Sequence, residues 1–236
     1  MNILALDTST ESCSVALLTA DGLLDRSKLM PREHAEHVLP MMQSLLDEAG
    51  LVRQQLDGIA VGRGPGAFTG VRLAISVAQG LAFALDLPVV TVSSLAALAM
   101  EAPADDKPVL AVIDARMGEI YAAAFRRTDA GLLDAIDTES VGKPEALVVP
   151  HEPLWNIVGT GWGAYPDIIA GKLAAAPHWV EAGHYPQARH VARLAAPEFA
   201  AGRGVAPEKA LPVYLRNKVA LTLRERGKPV PAGLID

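Results

Sequence analysis

One strand-and-turn segment at the start of the chain has a second copy in its middle. Residues 2–7 form an apolar run, and residues 109–114 form a similar run. Each is followed by a second apolar run and then by a glycine turn, Asp21-Gly22 in the first copy and residues 129–131 in the second. Glycine adopts the positive φ that tight hairpin turns need. The repeat predicts an α/β chain with two similar domains and a cleft between them.

Helices are predicted to follow each strand unit. Residues 34–49 carry apolar residues at helical spacing and end at Gly50, and residues 71–85 form a second, strongly apolar helix. Further strands are predicted at residues 58–62, 89–92 and 155–158, and further helices at residues 94–100, 165–175 and 188–201. We place the domains at residues 1–103 and 104–236, the second one abbreviated, with the last ~20 residues packing back on the first domain.

Composition limits the class of protein. Half of the 236 residues are hydrophobic and 20% are charged, which provides enough apolar surface for folded cores. The formal net charge of −6 argues against a broad basic face for nucleic acid. The longest apolar stretch is shorter than the ~20 residues that span a bilayer. We therefore expect no membrane span. Cys13 is the single cysteine, so we expect no internal disulfide and a cytoplasmic location.

The glycine-rich stretch VGRGPGAFTGVR, residues 61–72, lies between a predicted strand and a predicted helix. Glycines at such a place let backbone N–H groups approach an anion at a helix N-terminus. The stretch matches neither the Walker loop nor the dinucleotide fingerprint. It is either a tight turn that packs strand on helix or a loop that contacts an anion or a nucleotide. The candidate contacting residues are Gly62, Gly64, Gly66, Gly70 and Arg72.

Two aspartates end the first strand of each repeat. Asp7 and Asp114 could face the cleft and hold a metal or act as a base, or Asp7 could cap a turn through its own backbone. His34 and His37 lie one turn apart, but at the start of an exposed helix such histidines are more often solvated. We therefore expect no metal site. Cys13, on an apolar strand, is expected to be a buried, inert thiol.

The two N-terminal helices carry more apolar residues than one stripe requires. They are either core helices between two layers or a surface for association with another chain. The candidate interface residues are Val38, Met41, Met42, Leu45, Leu46, Val71, Leu73, Ala74, Val77, Ala78 and Leu81.

The C-terminal segment is locally basic although the chain as a whole is acidic. Such a run is either a solvated tail or a contact for RNA. The candidate RNA contacts are Arg216, Lys218, Arg224 and Arg226.

The stretches NILALDTST, GRGPGAFTGVRLAISVAQGLA and PVVTVSSLAAL closely resemble the TsaB (YeaZ) family, and VIDARMGEIYAAAF and LPVYLRN support the resemblance in the C-terminal half. That family is paralogous to TsaD and belongs to the actin, Hsp70 and sugar kinase superfamily. The resemblance implies two domains of the actin-like ATPase, ribonuclease H-like fold.

The resemblance also implies a function. Members of the family work with TsaD and TsaE to transfer a threonylcarbamoyl group from threonylcarbamoyl-AMP to the N6 amine of the adenosine next to the anticodon, in tRNAs that read codons starting with A. It implies a heterodimer with TsaD, a homodimer when the chain is alone, and contact with tRNA through the complex. No cofactor of its own is implied, and ATP would be bound by the assembled complex.

The chain departs from TsaD at the catalytic metal. TsaD has a His-x-x-x-His pair after the glycine-loop helix, whereas Ser94 and Leu98 stand at those positions here. This departure predicts a subunit without catalytic residues or metal. Two alternatives are an ATP-dependent small-molecule kinase of the same superfamily and a glycoprotease-like peptidase. The kinase would need a glycine-containing phosphate hairpin after the first strand, and residues 7–12 contain no glycine.

Overall fold

The computed structural model describes residues 1–216 and contains two β-sheets. The first sheet has five strands, ordered third, second, first, fourth and fifth along the chain. They are β1 (Ile3–Asp7), β2 (Ser12–Thr19), β3 (Gly22–Leu29), β4 (Gly58–Gly62) and β5 (Val89–Val92). The central strand β1 pairs antiparallel with β2 and parallel with β4, and every residue in it is buried. Its continuous apolar sequence is typical of a strand covered on both faces.

Three helices come from the N-terminal half of the chain. They are α1 (His34–Ala49), α2 (Phe68–Leu85) and α3 (Ser94–Ala99). Gly50 ends α1 in the left-handed conformation, with φ of 65°, and Ser93 caps α3 by accepting a hydrogen bond from the Ala96 amide. These ends agree with the sequence expectation, apart from α2, which begins three residues earlier than predicted.

The apolar character of α2 is explained by its packing. Within residues 1–216 it is the one helix long and apolar enough, by length and composition, to cross a membrane. Its buried face, which includes Val71, Ala74 and Ala78, lies in the core that α1 and α2 form on the first sheet. Packing against β4 therefore accounts for one apolar stripe of the helix.

The second sheet repeats the connectivity of the first. Its strands are β6 (Val109–Arg116), β7 (Glu119–Arg127), β8 (Leu133–Ala135), β9 (Ser140–Gly142), β10 (Asn156–Val158) and β11 (Trp179–Glu181). The order β8-β7-β6-β10-β11 corresponds to β3-β2-β1-β4-β5, with the same antiparallel and parallel pairs. This correspondence confirms the predicted duplication and the two-domain α/β fold.

The second copy is abbreviated, as expected. Where the first domain has the long helix α1, the second has a single 3-10 turn, Pro144–Ala146. The short helices α4 (Thr160–Ala164) and α5 (Pro166–Ala170) replace the predicted helix at residues 165–175. The short strands β9 and β11 were not predicted, because three residues are too few to show an alternating pattern.

Among residues 1–216, the last helix is α6 (Ala188–Ala200), whereas the last ~20 residues, which we predict to pack on the first domain, lie outside the described residues. It follows the second sheet in the chain but packs on the first, where Ala188, Val191 and Ala195 meet Ile3 and Ala16. A sheet with two apolar faces needs a helix layer on each, and α1 and α2 cover only one. In the same way, α3 packs on β6 and β7 of the second sheet. Packing therefore groups β1–β5 with α1, α2 and α6, and β6–β11 with α3, α4 and α5.

Candidate functional site

A cleft of about 730 Å³ lies between the two domains. Its walls are the loop after β1, the starts of α1 and α2, the end of β6 and the C-terminal residues 213–216. The predicted cleft between the two copies is therefore present.

Asp7, at the end of β1, is fully buried behind the cleft wall. Its Oδ1 accepts hydrogen bonds from the Ser9 amide at 2.8 Å and the Ser9 hydroxyl at 2.7 Å, and its Oδ2 accepts one from the Ser94 hydroxyl at 2.8 Å. Burial raises the pKa of the Asp7 carboxyl, and these hydrogen bonds offset part of the rise. Both oxygens are engaged by the chain itself, so Asp7 acts as the centre of a buried turn.

The glycine loop packs directly against that turn. A Cβ atom at Gly62 would lie 1.9 Å from Asp7 Oδ2, one at Gly66 2.2 Å from the Ser9 carbonyl oxygen, and one at Gly70 2.0 Å from the Thr8 carbonyl oxygen. These glycines are therefore required for close approach to protein backbone. The alternative of a tight turn that packs strand on helix explains these three glycines, and contact of the loop with an anion stays a prediction.

Hydrogen bonds also join the glycine loop to the turn after β1. The Ala67 amide donates to the Ser9 carbonyl at 2.7 Å, and the Thr8 hydroxyl donates to the Gly70 carbonyl at 2.7 Å. The carbonyl of Gly64 accepts from the Ser94 amide at 2.9 Å. Three donors of the turn after β1, the Thr8 hydroxyl and the Ser9 amide and hydroxyl, are thus partnered within the chain.

Arg72 is engaged by two aromatic side chains. Its Nε donates to the Tyr214 hydroxyl at 2.6 Å, and its guanidinium lies 3.7 Å from the centre of the Phe68 ring. The Phe68 and Tyr214 rings lie 5.7 Å apart, and the Arg72 guanidinium contacts both of them. The sequence pattern did not single out Phe68 or Tyr214, because they are far apart in the chain.

Asp114, the counterpart of Asp7, has a different environment. It lines the cleft, and its carboxylate accepts hydrogen bonds from the Arg116 amide at 2.9 Å and the Arg116 guanidinium at 3.1 Å. Arg116 also pairs with Glu11 across the cleft. The two aspartates therefore do not come together as a carboxylate pair.

Ser94 and Leu98, the positions that correspond to the TsaD metal ligands, are both internal. Ser94 donates to Asp7, and Leu98 is fully buried in the core between α3 and the second sheet. His34 is buried at the start of α1, while His37 lies 3.8 Å from Glu33 in a surface pair. Within residues 1–216, no group of three or more His, Cys, Asp or Glu side chains could hold a metal ion.

Cys13 lies in the core of the first domain. Burial, together with the nearby Asp7, raises the pKa of its thiol to about 11. A thiol of this kind is protonated at neutral pH and is a poor nucleophile.

Most of the proposed interface residues face inward. Seven of the eleven lie in the core of the first domain, which corrects our expectation for them: Val38, Met42, Leu45, Leu46, Val71, Ala74 and Ala78. The prediction treated all apolar residues of α1 and α2 as one surface, although one stripe of each helix covers the sheet and a neighbouring stripe is partly exposed. Partial exposure remains at Met41, Leu73, Val77 and Leu81.

The basic C-terminal candidates separate into two groups. The Arg216 guanidinium pairs with Glu119 and donates to the Ala115 carbonyl at 3.0 Å, so it is engaged inside the molecule and our expectation of an RNA contact there is corrected. Lys218, Arg224 and Arg226 lie outside the described residues.

Comparisons with known proteins agree with this architecture. A family model described as "TsaD: tRNA N6-adenosine threonylcarbamoyltransferase" matches residues 28–218. The tRNA threonylcarbamoyladenosine biosynthesis protein TsaB of Escherichia coli K12 is 44% identical over 93% of this chain and 96% of its own length. TsaB of Haemophilus influenzae is 38% identical over 93% of this chain and 95% of its own length.

A solved structure gives the same result. YeaZ from Pseudomonas aeruginosa superposes with a TM-score of 0.83 at 46% identity and covers 91% of this chain and 99% of its own. Both the sequence similarity and the shared fold extend over nearly the whole length of each protein. The chain belongs to the TsaB (YeaZ) family.

Proposed function

We propose that this chain is a non-catalytic subunit of the machinery that makes threonylcarbamoyladenosine in tRNA. In this role it works with TsaD and TsaE, which transfer the threonylcarbamoyl group from threonylcarbamoyl-AMP to the adenosine N6 amine. The observation that carries the proposal is the near full-length match to proteins named for this pathway. A cytoplasmic location, where tRNA is available for modification, belongs to the same proposal.

The cleft supports a subunit role over an enzymatic one. The carboxylate at the end of β1 is held by Ser9 and Ser94, and the glycine loop is closed on the turn that follows β1. A kinase of this architecture needs donors aimed at a phosphate from that turn. Because these groups serve the fold, we propose that ATP is bound by the assembled complex rather than by this chain.

The surface that would bind TsaD lies on the outer sides of α1 and α2. Met41, Val77 and Leu81 sit at the edge of the core and remain partly exposed, and Phe83 is 81% exposed on α2. Leu39 is 51% exposed on α1. Apolar side chains of this size on adjacent helices are typical of an association surface.

TsaD is the natural occupant of this surface, because the TsaD family model matches this chain itself over residues 28–218. A paralogue with the same fold can present a similar face, so a homodimer of this chain can be replaced by a heterodimer. A specific interface of this kind buries on the order of 1,600 Å² in total. We propose that tRNA is contacted through the assembled complex.

Val77→Glu tests the proposal. A carboxylate buried without a partner in the interface costs several kcal/mol of association, so both homodimerisation and TsaD binding should be lost while the fold is kept. Val148→Glu is the matched control, because Val148 is 79% exposed on the second domain. The measurements are light scattering, titration with TsaD and threonylcarbamoyladenosine formation by the reconstituted proteins.

A folded Val77→Glu variant that still forms both complexes would contradict the helix surface. The subunit role has its own test, because leaving the chain out of the reconstituted reaction should abolish tRNA modification. Modification that proceeds equally well without the chain would refute the role itself. Leu45→Glu, at a fully buried position, is expected to unfold the first domain and gives the reference for a core substitution.

A further inference from the structure

Residues 210–216 leave the first domain and reach the second along one wall of the cleft; we call this segment the strap. At its start, Ala210 is fully buried in the core beneath α2, and its carbonyl accepts a hydrogen bond from the Gln79 side chain at 3.0 Å. Residues 213–216 line the cleft. The strap is therefore in contact with both domains.

The middle of the strap is held on the first domain. The Val213 amide donates to the Arg63 carbonyl at 3.0 Å, next to the glycine loop. The Tyr214 ring lies 5.7 Å from the Phe68 ring, and the Tyr214 hydroxyl accepts from Arg72. These contacts join the strap to the beginning of α2.

The end of the strap is held on the second domain. Leu215 packs against the core formed by α3, β6 and β7. The Arg216 side chain is only 16% exposed, donates to the Ala115 carbonyl and pairs with Glu119 at the start of β7. A guanidinium held by both a carboxylate and a carbonyl is a directional, charge-assisted attachment.

Within residues 1–216, ion pairs also join the two domains directly. Arg63 binds Glu139 through two hydrogen bonds of 3.0 and 3.1 Å, and Arg116 pairs with Glu11. Each of these pairs joins separate stretches of chain. The strap differs because one continuous stretch of backbone contacts both domains, with Leu215 and Arg216 on the second.

We propose that the strap is a latch that fixes the opening of the interdomain cleft, with the Arg216–Glu119 pair as its releasable end. When that pair is broken, the strap is held on the second domain by the packing of Leu215 and the Arg216–Ala115 hydrogen bond alone, and the domains gain freedom to rotate apart. The strap is also bound to α2, so the opening of the cleft is mechanically connected to that helix.

Distance measurement between spin labels tests the latch in the full chain. Labels on Gln54→Cys and Asp129→Cys, two exposed positions, report on the first and second domain, and the buried Cys13 thiol resists labelling. Arg216→Gln should add a population at a different distance and raise the ratio of open to closed molecules about tenfold, as expected for loss of a hydrogen bond to a charged group. Glu119→Gln should give the same result from the other side of the pair.

Arg203→Gln is the matched control, because Arg203 pairs with Glu198 on the first domain alone. It should leave the distance distribution unchanged. The double variant with Arg216→Glu and Glu119→Arg should restore the closed population. A folded Arg216→Gln variant with the native distribution overturns the proposal, and so does a broadening that the control reproduces. Circular dichroism establishes folding, and Glu119→Gln decides the matter if Arg216→Gln does not fold.

Discussion

Ser94→Ala is the most direct test of the buried Asp7 turn. The Ser94 hydroxyl is the hydrogen-bond donor to Asp7 Oδ2, at 2.8 Å, and the carboxyl is fully buried. A hydrogen bond to a charged group contributes about 1.5–3 kcal/mol, and water cannot replace it at a buried site without rearrangement. We therefore expect Ser94→Ala to lower the free energy of unfolding by about that amount where Asp7 is ionised, and by about 1 kcal/mol where it is protonated.

The pH dependence gives a second, independent readout. The pKa of Asp7 is raised in the folded state, so ionisation of Asp7 destabilises the fold as the pH rises from its unfolded-state value through its folded-state value. Removal of the Ser94 hydroxyl raises this pKa further, because it had favoured the charged form. The loss of stability should therefore be smaller at acidic pH, where Asp7 is protonated, and larger at alkaline pH.

Urea unfolding of the native chain, Ser94→Ala and Asp7→Asn across the pH range from acidic to alkaline checks both expectations. Asp7→Asn keeps the hydrogen bonds from Ser9, and its Nδ2 can donate to Ser94, so its stability should vary less with pH than that of the native chain. Ser94→Ala with native stability at every pH, or with a deficit that is largest at acidic pH, would refute this account of the turn.

Three further outcomes are expected. Gly70→Ala should lower stability by about 1–3 kcal/mol through overpacking against the Thr8 carbonyl, whereas Gly80→Ala, where the added methyl meets nothing within 4 Å, should raise it slightly in urea unfolding. The purified chain should contain no stoichiometric zinc or iron by elemental analysis, and one ion per chain would contradict this. Alanine at Lys218, Arg224 and Arg226 should weaken tRNA binding by the assembled complex in filter or gel-shift assays, because affinity follows phosphate neutralisation; unchanged affinity would assign the tail to a solvated segment.

The duplication was predictable because both copies keep the same order of apolar run, turn and glycine. Asp21-Gly22 and its counterpart at residues 129–131 each mark a hairpin, and strand pairing preserves the two patterns. The position of α6 was not predictable in this way. Its amphipathic sequence shows that one face is buried but does not say which of two similar sheets it covers, because that depends on which face is still open.

The site was harder to predict for a related reason. The glycines at Gly62, Gly66 and Gly70 indicate that another group approaches the backbone closely. A neighbouring protein segment and a bound phosphate both require a position without a Cβ atom, so the sequence does not distinguish them. Only the position of the turn after β1 distinguishes the two. Tyr214 is far in the sequence from Phe68 and Arg72, which it contacts, so no local pattern signals this contact.

The two copies have diverged in a way that bears on function. The first keeps two long helices on one face of its sheet, and the second has a 3-10 turn in place of the first of them. The aspartates at the ends of β1 and β6 are bound by the chain itself, Asp7 by two serines and Asp114 by Arg116. Groups that are fully partnered inside the molecule cannot also carry out chemistry on a substrate without breaking those contacts. The exposed side of the two long helices is the feature of the first domain that the second copy lacks.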